Sequence, residues 1–289
     1  MSRAGEPVEV ASTFRVPETK RSRTTVVTEI YPTAQVLPEN LLKFYLHFSA
    51  PMSRGDIYRW IHLRKESGRE IELPFLEIDE ELWNPEMTRL TLFIDPGRIK
   101  RGVRPLEEIG PALEVDGRYQ LSIDRGWKDA SGTPLRSGFT KRFSIGPADR
   151  QPLDPKAWVI DPPQQGTKDR LRVRFNEPLD AALVRHCLNV IDSDGRTVEG
   201  LVGMGAEERW WDFLPAHPWG VGELAVKVKT TLEDLAGNNV GKAFDVDVFD
   251  QVRPQIVPPS VLIPFTPAAA GFLRSPSAPR RHRFPAQGG

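Results

Sequence analysis

Hydrophobic and polar residues alternate strictly along several short segments of the chain. The clearest is "LKFYLHFS" at 42–49, whose hydrophobic members all fall on one face: Leu42, Phe44, Leu46 and Phe48. A period of two over eight residues is typical of a half-buried β-strand. Similar segments recur up to position 146, separated by turn dipeptides such as Ser67-Gly68 and Pro96-Gly97. About seven short strands in roughly 120 residues predict a β-sandwich.

The same order of segments occurs a second time. Phe48 and Pro51 in "LHFSAPMS" correspond to Phe175 and Pro178 in "VRFNEPLD", 127 residues later. Phe ends a core strand in each copy, and Pro, which lacks an N–H, ends its pairing. The offset falls to 105 by the later strands, so the first copy carries insertions. We therefore predict an all-β protein of two tandem antiparallel β-sandwiches.

The periodic segments also set the predicted domain limits. One sandwich is expected at 24–146 and the other at 155–250, with a proline-containing linker at 147–154 and the segment "FDVDVF" closing the second. Residues 1–23 are polar without periodicity, and 251–289 are basic and rich in proline. Such segments cannot bury a core, so we predict a disordered lead-in and a disordered tail.

Several large residues are assigned to the two cores. Phe48, Phe175, Trp211 and its neighbour Phe213 are expected to face inward, and Trp127 to cover one end of the first core. The single cysteine, Cys187, excludes an internal disulfide and a cysteine-based zinc site. It enters a predicted core strand, which favours a small buried residue over a nucleophile.

Two motifs of the second copy, "FNEPLD" and "LEDLAGNNV", resemble the bacterial Ig-like domain first described in surface-layer proteins. Repeats of that family look like "F(S/N)xP(M/L)D" early and "DxxGNxL" late. The first copy is looser, since Ser53 replaces the Asp and "DASGTP" replaces the late motif. The resemblance implies that both sandwiches are immunoglobulin-like, in an exported or envelope protein that acts as a spacer, stalk or adhesive module. No catalytic residues are known for the family.

Charge and hydropathy limit the compartment and the partners. The chain is neutral overall, but residues 24–250 hold 29 basic and 36 acidic residues, a net charge of −7. Because nucleic-acid binders usually carry the opposite sign, we expect no nucleic-acid partner. No apolar run approaches the roughly 20 residues of a transmembrane helix. We expect an extracytoplasmic monomer if a leader precedes Met1, and a cytoplasmic one otherwise.

Catalytic and cofactor motifs are scarce in this sequence. The five histidines share no metal-ligand spacing, and no nucleophile elbow, P-loop or dinucleotide fingerprint occurs. "DSDG" at 192–195 opens like a calcium loop but lacks the later ligands, and Asx turns in a hairpin explain it without metal, which is the interpretation that we favour. We expect a protein that is not an enzyme and binds no cofactor.

Two features are candidates for a binding surface. The insertion at 97–109 clusters positive charge at Arg98, Lys100 and Arg101, and loops on rigid sandwiches tend to carry binding residues. Its alternative role is to pack Ile99 and neighbouring apolar residues onto the sandwich. Trp210 points outward beside inward Trp211, either as a ligand platform or, as we favour, as a contact with the other domain.

The preferred interpretation is a non-enzymatic Ig-like protein of the bacterial cell envelope, acting as a spacer or binding module. Its partners would be an envelope polymer or another envelope protein. The alternative is an accessory module of an envelope enzyme or adhesin complex. A hydrolase with a site between the domains lacks a supporting constellation of residues.

Overall fold

A computed structural model describes residues 23–99, 108, 110–244 and 258–269. The described chain forms two immunoglobulin-like β-sandwiches in tandem, as the alternation and the motif resemblance together predicted. A membrane-spanning helix is absent from these ranges.

The first sandwich packs two four-stranded sheets face to face. Its strands are β1 (Val27–Tyr31), β2 (Val36–Pro38), β3 (Lys43–Phe48), β4 (Ile61–Lys65), β5 (Leu82–Trp83), β6 (Arg89–Phe93), β7 (Arg118–Ile123) and β8 (Phe139–Gly146). The sheets run β1-β3-β6-β5 and β2-β8-β7-β4, antiparallel except for the β2–β8 pair. Phe48 and Trp127 pack in the core with ring centroids 5.3 Å apart, so both inward assignments are confirmed.

The second sandwich has a four-stranded and a three-stranded sheet. Its elements are β9 (Val159–Asp161), β10 (Leu171–Arg174), α1 (Ala181–Cys187), β11 (Leu188–Ile191), β12 (Gly200–Met204), β13 (Trp210–Pro215), β14 (Leu224–Lys229) and β15 (Ser260–Phe265). The sheets run β12-β13-β10-β9 and β11-β14-β15. Phe175, Trp211, Phe213 and Cys187 are all buried in this core, as predicted.

The predicted disordered tail at 251–289 is wrong for its described part. Strand β15 pairs with β14 over six residue pairs, from Leu224 opposite Phe265 to Lys229 opposite Ser260. Phe265 is buried and lies 6.0 Å from Trp219, centroid to centroid. The prolines in and beside this strand suggested disorder, yet β15 lies at a sheet edge, where a strand tolerates a proline such as Pro264. The segment expected to close the sandwich, 244–249, lies outside the described residues except for Phe244.

The polar face of β3 is not solvated as the alternation implied. Tyr45 is only 7% exposed, and the Lys43 side chain only 10%. His47 is half-buried. The second sandwich covers this face, and the contacts between the two sandwiches form the candidate site.

Candidate functional site

The "FNEPLD" motif of the second sandwich ends on an aspartate with two roles. Asp180 Oδ1 accepts hydrogen bonds from the backbone N–H groups of Ala182 and Leu183, both at 2.9 Å. Asp is a favoured N-cap because its carboxylate satisfies N–H groups that the first turn leaves free. The cap starts α1 at the surface facing the first sandwich, and leaves the second carboxylate oxygen free for a partner there.

The second oxygen of Asp180 bonds two residues of β3 in the first sandwich. Lys43 Nζ lies 2.8 Å from Asp180 Oδ2, and the Tyr45 hydroxyl donates to the same oxygen at 2.8 Å. Lys43 Nζ also lies 2.7 Å from Glu233 Oε2. One ammonium and one hydroxyl therefore bridge the sandwiches through two carboxylates, in a contact almost closed to water.

The pKa values of these groups reflect that burial. Burial alone would lower the pKa of Lys43, but the adjacent carboxylates of Asp180 and Glu233 outweigh it and raise the pKa. Burial, followed by the negative charge of Asp180, raises the pKa of Tyr45. Lys43 therefore stays charged and Tyr45 stays protonated at neutral pH, which keeps both as donors to Asp180.

The "DLAGN" turn inserts an apolar side chain into the first sandwich. Asp234 Oδ1 accepts from the N–H groups of Ala236 and Asn238 and holds the turn closed. The Leu235 carbonyl accepts from the Leu42 N–H at 2.9 Å, and the Leu235 side chain belongs to the first core. Gly237 has φ 84°, and a Cβ there would lie 2.7 Å from Leu42 Cδ2. This position therefore needs glycine for both its conformation and its close contact.

A third contact is made by a buried glutamate before β13. Glu208 is fully buried, and its carboxylate accepts from the Thr33 N–H at 3.0 Å and from Thr33 Oγ1 at 2.7 Å. Glu207 and Glu208 both adopt left-handed backbone conformations, with φ 54° and 55°. Burial raises the pKa of Glu208, opposed by the hydrogen bonds from Thr33 and by the nearby charge of Lys141. Such backbone strain in non-glycine residues persists where surrounding contacts fix it.

The segment between the sandwiches is held by amide side chains. Asn40 donates to the Asp149 carbonyl and accepts from the Asp149 N–H at 2.8 Å. Asn238 Nδ2 donates to the same carbonyl at 3.1 Å. The predicted linker is thus bonded to both sandwiches near Asp149, which restricts their relative motion.

Three carboxylates meet beside this linker. Oxygen atoms of Asp149, Glu177 and Asp234 lie within 4.8 Å of one another. Burial, then a hydrogen bond with Asp149, raises the pKa of Glu177 to about 8, and burial raises that of Asp234 to about 7. Oxygen ligands at this spacing suit a hard cation such as Ca²⁺. However, proton sharing and the Asp234 turn bonds account for the cluster without one.

The structure removes Arg98 from the candidate binding surface. Its side chain is buried, and its guanidinium donates to the carbonyls of Glu72, Leu73, Gly110 and Pro111 at 2.6–3.3 Å. An arginine bonded to four backbone acceptors holds the base of the insertion in place and is not available to a polymer. Ile99 is buried in the first core beside it. Lys100 and Arg101 lie outside the described residues.

Trp210 lies outward from β13, as predicted, but against its own sandwich. The Arg172 guanidinium lies 5.4 Å above its ring centroid, and Gly205 packs so closely beneath that a Cβ would overlap the ring. The favoured contact with the first sandwich is not among these interactions.

At 192–195, Asp192 accepts from the N–H groups of Asp194 and Arg196. These are the Asx-turn bonds that the sequence offered as the alternative to calcium.

Sequence reasoning missed the residues that join the sandwiches. Asp180 did leave a signal, because it occurs in the motif of the second copy where the first has Ser53. Leu235 also left one, as an apolar residue in a polar turn. Glu208 left none, since "AEER" has the composition of an exposed turn.

Comparisons with known proteins show distant likeness to sandwich proteins. No family model matches the chain, and no curated protein matches it. A structure of alpha-2-macroglobulin from Escherichia coli has a TM-score of 0.28 at 10% identity, covering 84% of this chain and 71% of that one. The S-layer protein rSbsC has a TM-score of 0.29 at 10% identity, covering 85% of this chain and 41% of that one.

A third solved structure is SGBP-B of Bacteroides ovatus in complex with a mixed-linkage heptasaccharide. Its TM-score is 0.20 at 11% identity, and the match covers 78% of this chain and 47% of that one. The chain thus spans about two fifths to one half of the last two proteins. TM-scores this low carry no functional argument, and the fold assignment rests on the sheets themselves.

Proposed function

We propose that this protein is a non-enzymatic module of the bacterial cell envelope that acts as a stiff two-domain spacer. The observation that carries the stiffness is the buried contact of Lys43 and Tyr45 with Asp180, together with the insertion of Leu235 into the first core. Tandem domains move relative to one another unless their interface is large and apolar. Here, buried ionic bonds and an apolar insertion oppose that motion.

The envelope assignment is supported by the motif resemblance. Both family motifs are in place in the second copy, and they supply the contacts of Asp180 and Leu235 with the first sandwich, whereas the Glu208 contact lies outside them. The motifs would therefore serve to fix the angle between successive domains, which is what a stalk or spacer requires. An accessory role beside an envelope enzyme or adhesin uses the same rigidity and is the alternative.

Spin labels can measure the stiffness. Labels at Arg136→Cys in the first sandwich and Val221→Cys in the second occupy exposed positions. A Cys187→Ala background removes the native thiol. Double electron–electron resonance should give one narrow distance distribution. A broad distribution in this parent protein would refute the spacer proposal.

A glycine pair supplies a matched test of the interface. Gly237→Ala places a Cβ against Leu42, whereas Gly195→Ala has a similar φ of 79° and nothing within 4 Å. Both variants bear the cost of a left-handed alanine, about 1–2 kcal/mol, but only the first disturbs the interface. We expect Gly237→Ala to broaden the distance distribution and Gly195→Ala to leave it narrow.

Protease accessibility in intact native cells tests the envelope assignment. The protein is produced from its own gene, and protease is added to whole cells and to cells with a permeabilised outer layer. The protease should digest the protein in one of these two samples, while a cytoplasmic marker stays protected in both. Protection equal to that of the marker would overturn the envelope assignment and leave the stiffness unaffected.

A further inference from the structure

A separate cleft lies between the two sandwiches, next to the Asp180 contact. Its volume is about 300 Å³. The first sandwich contributes Tyr31, His47 and Arg89, and the second contributes Arg185 and Met204. This size is at the lower end of the range for small-molecule pockets. Because each sandwich supplies part of the wall, the cleft exists only while the two are docked.

The two arginines of this cleft have no carboxylate partner among the described residues. Arg89 contacts the Tyr45 ring, with its guanidinium carbon 5.5 Å from the ring centroid. Its Nε is buried without a hydrogen-bond acceptor, and the other three such nitrogens in the described chain belong to indoles. Arg185 is exposed at the other side of the cleft. That nitrogen is closed to solvent, so a ligand in the cleft would meet the rest of the partly exposed Arg89 side chain, which lines the wall.

Two cations act on His47 in the wall of the cleft. Burial, followed by the charges of Arg89 and then Arg185, lowers the pKa of His47. Acidic side chains nearby have other contacts: Glu29 is the cross-strand neighbour of His47, Glu208 accepts from Thr33, and Glu86 accepts from the Asn84 amide. None of them forms an ion pair with either arginine. Two unpaired arginines in one cleft stand out because residues 24–250 carry a net charge of −7.

Both arginines are carried by fixed elements. Arg89 begins β6 directly opposite His47 on β3. Asn84 Oδ1 accepts from the Thr88 and Arg89 N–H groups at 2.8 and 2.7 Å, which sets the turn before the strand. Arg185 lies in the last turn of α1, the helix that Asp180 anchors to the first sandwich. Preorganised arginines bind carboxylate and phosphate well because their donors form a planar fork.

The remaining walls of the cleft suit the uncharged part of a small organic ligand. The rings of Tyr31 and His47 meet edge to face at 5.2 Å, and the Met204 side chain lies on the other sandwich. Aromatic rings and thioethers offer apolar, polarisable surface beside the charged donors. The cleft therefore combines two cations with an apolar wall in a space of sugar size.

We propose that this cleft binds a sugar-sized molecule carrying one carboxylate or phosphate group, with the anion held between Arg89 and Arg185. The body of the ligand contacts Tyr31 and Met204. This proposal goes beyond the spacer function and does not depend on where in the cell the protein acts.

Calorimetric titration of the full chain with three matched sugars tests the proposal. D-Glucuronate and D-glucose 6-phosphate should both bind, neutral D-glucose should not, and added salt should weaken the binding. Whichever anion binds more tightly identifies the preferred group. Arg185→Gln and Arg89→Gln should each weaken binding about tenfold or more, as expected for loss of a charge-assisted hydrogen bond.

Arg136→Gln is the control, because Arg136 is exposed, is not among the residues that line the cleft, and undergoes the same charge change. Arg185 is also exposed, so its variant should keep the parent melting curve. Equal binding of glucose, unchanged affinity in Arg185→Gln, or an equal loss in Arg136→Gln would each overturn the site. If inorganic phosphate bound as tightly as glucose 6-phosphate, the proposed contacts with the sugar body would be wrong.

Discussion

Lys43 and Asp180 form an ion pair 137 residues apart in sequence that joins the two sandwiches, with Nζ and Oδ2 2.8 Å apart. Their side chains are 10% and 1% exposed, so water screens the pair weakly. Removing one partner of a buried ion pair is more costly than the pair's net contribution, because the other charge stays buried. Lys43 of the first sandwich therefore has its buried carboxylate partner only while the second sandwich is docked.

Asp180→Asn should lower the free energy of unfolding by about 3 kcal/mol. Asparagine is as good an N-cap as aspartate, so α1 should remain intact and the loss should come from Lys43 and Tyr45, the two donors to Asp180 Oδ2. Urea unfolding followed by circular dichroism measures the change.

The double variant Lys43→Met with Asp180→Asn separates the ionic contribution from other effects. With both charges gone, the double variant should be more stable than the sum of the single losses predicts, by at least 1 kcal/mol. Strictly additive losses would mean that the two residues act independently.

Arg98→Met should destabilise the first sandwich by about 2–3 kcal/mol, because it leaves backbone carbonyls without their charged donor. This differs from the sequence-based hypothesis, which placed Arg98 on an exposed binding surface. Arg54→Met is a suitable control, since Arg54 is exposed. Thermal melts of the two variants should differ clearly. Coincident curves would mean that Arg98 is exposed and does not hold the backbone carbonyls.

The strand pattern was predictable because it depends on local alternation. Leu42, Phe44, Leu46 and Phe48 are all buried, and the repeat placed Phe175 and Trp211 correctly by analogy. Each of these residues meets a neighbour on its own sheet or the facing one, and that requirement leaves a period of two in the sequence. The fold class follows from such positions alone.

Contacts between the two sandwiches leave no periodic pattern of hydrophobic residues in the sequence. Tyr45 alternates as an outward residue, and its burial depends on a carboxylate 135 residues away. Arg98 looked exposed because charged residues are mostly at the surface, and nothing local shows that four carbonyls converge on it. Strand β15 was missed because its sequence, "SVLIPF", stands among prolines and was separated from the predicted end of the repeat.

Phe265→Ala should destabilise the second sandwich by about 3–5 kcal/mol, the usual cost of a buried phenylalanine. Leu262→Ala on the same strand is the control, because Leu262 is 53% exposed and should change stability by about 0.5 kcal/mol or less. Trp219 lies against Phe265, so its fluorescence should shift early in urea for the first variant. Equal effects of the two changes would contradict the pairing of β15 with its buried face inward.

Stability should fall as the pH rises from about 4 to about 8. Asp234 and Glu177 have folded-state pKa values of about 7 and about 8, against ordinary values of 3.8 and 4.5. Over that range the folded state holds protons that the unfolded state has lost, so each added pH unit favours unfolding. The contribution of each group is complete below its ordinary pKa and lost above its folded-state value, by at most about 1.4 kcal/mol per pH unit.

Glu177→Gln removes the group that loses its proton last, so the profile should flatten mainly between pH 5 and 8. Glu223→Gln is a matched control, because Glu223 is exposed and should leave the slope unchanged. Urea midpoints recorded at half-unit intervals measure both profiles. A parent profile in which stability rises toward pH 8 would mean that these carboxylates are ionised in the folded protein. Glu177 would then not share a proton with Asp149.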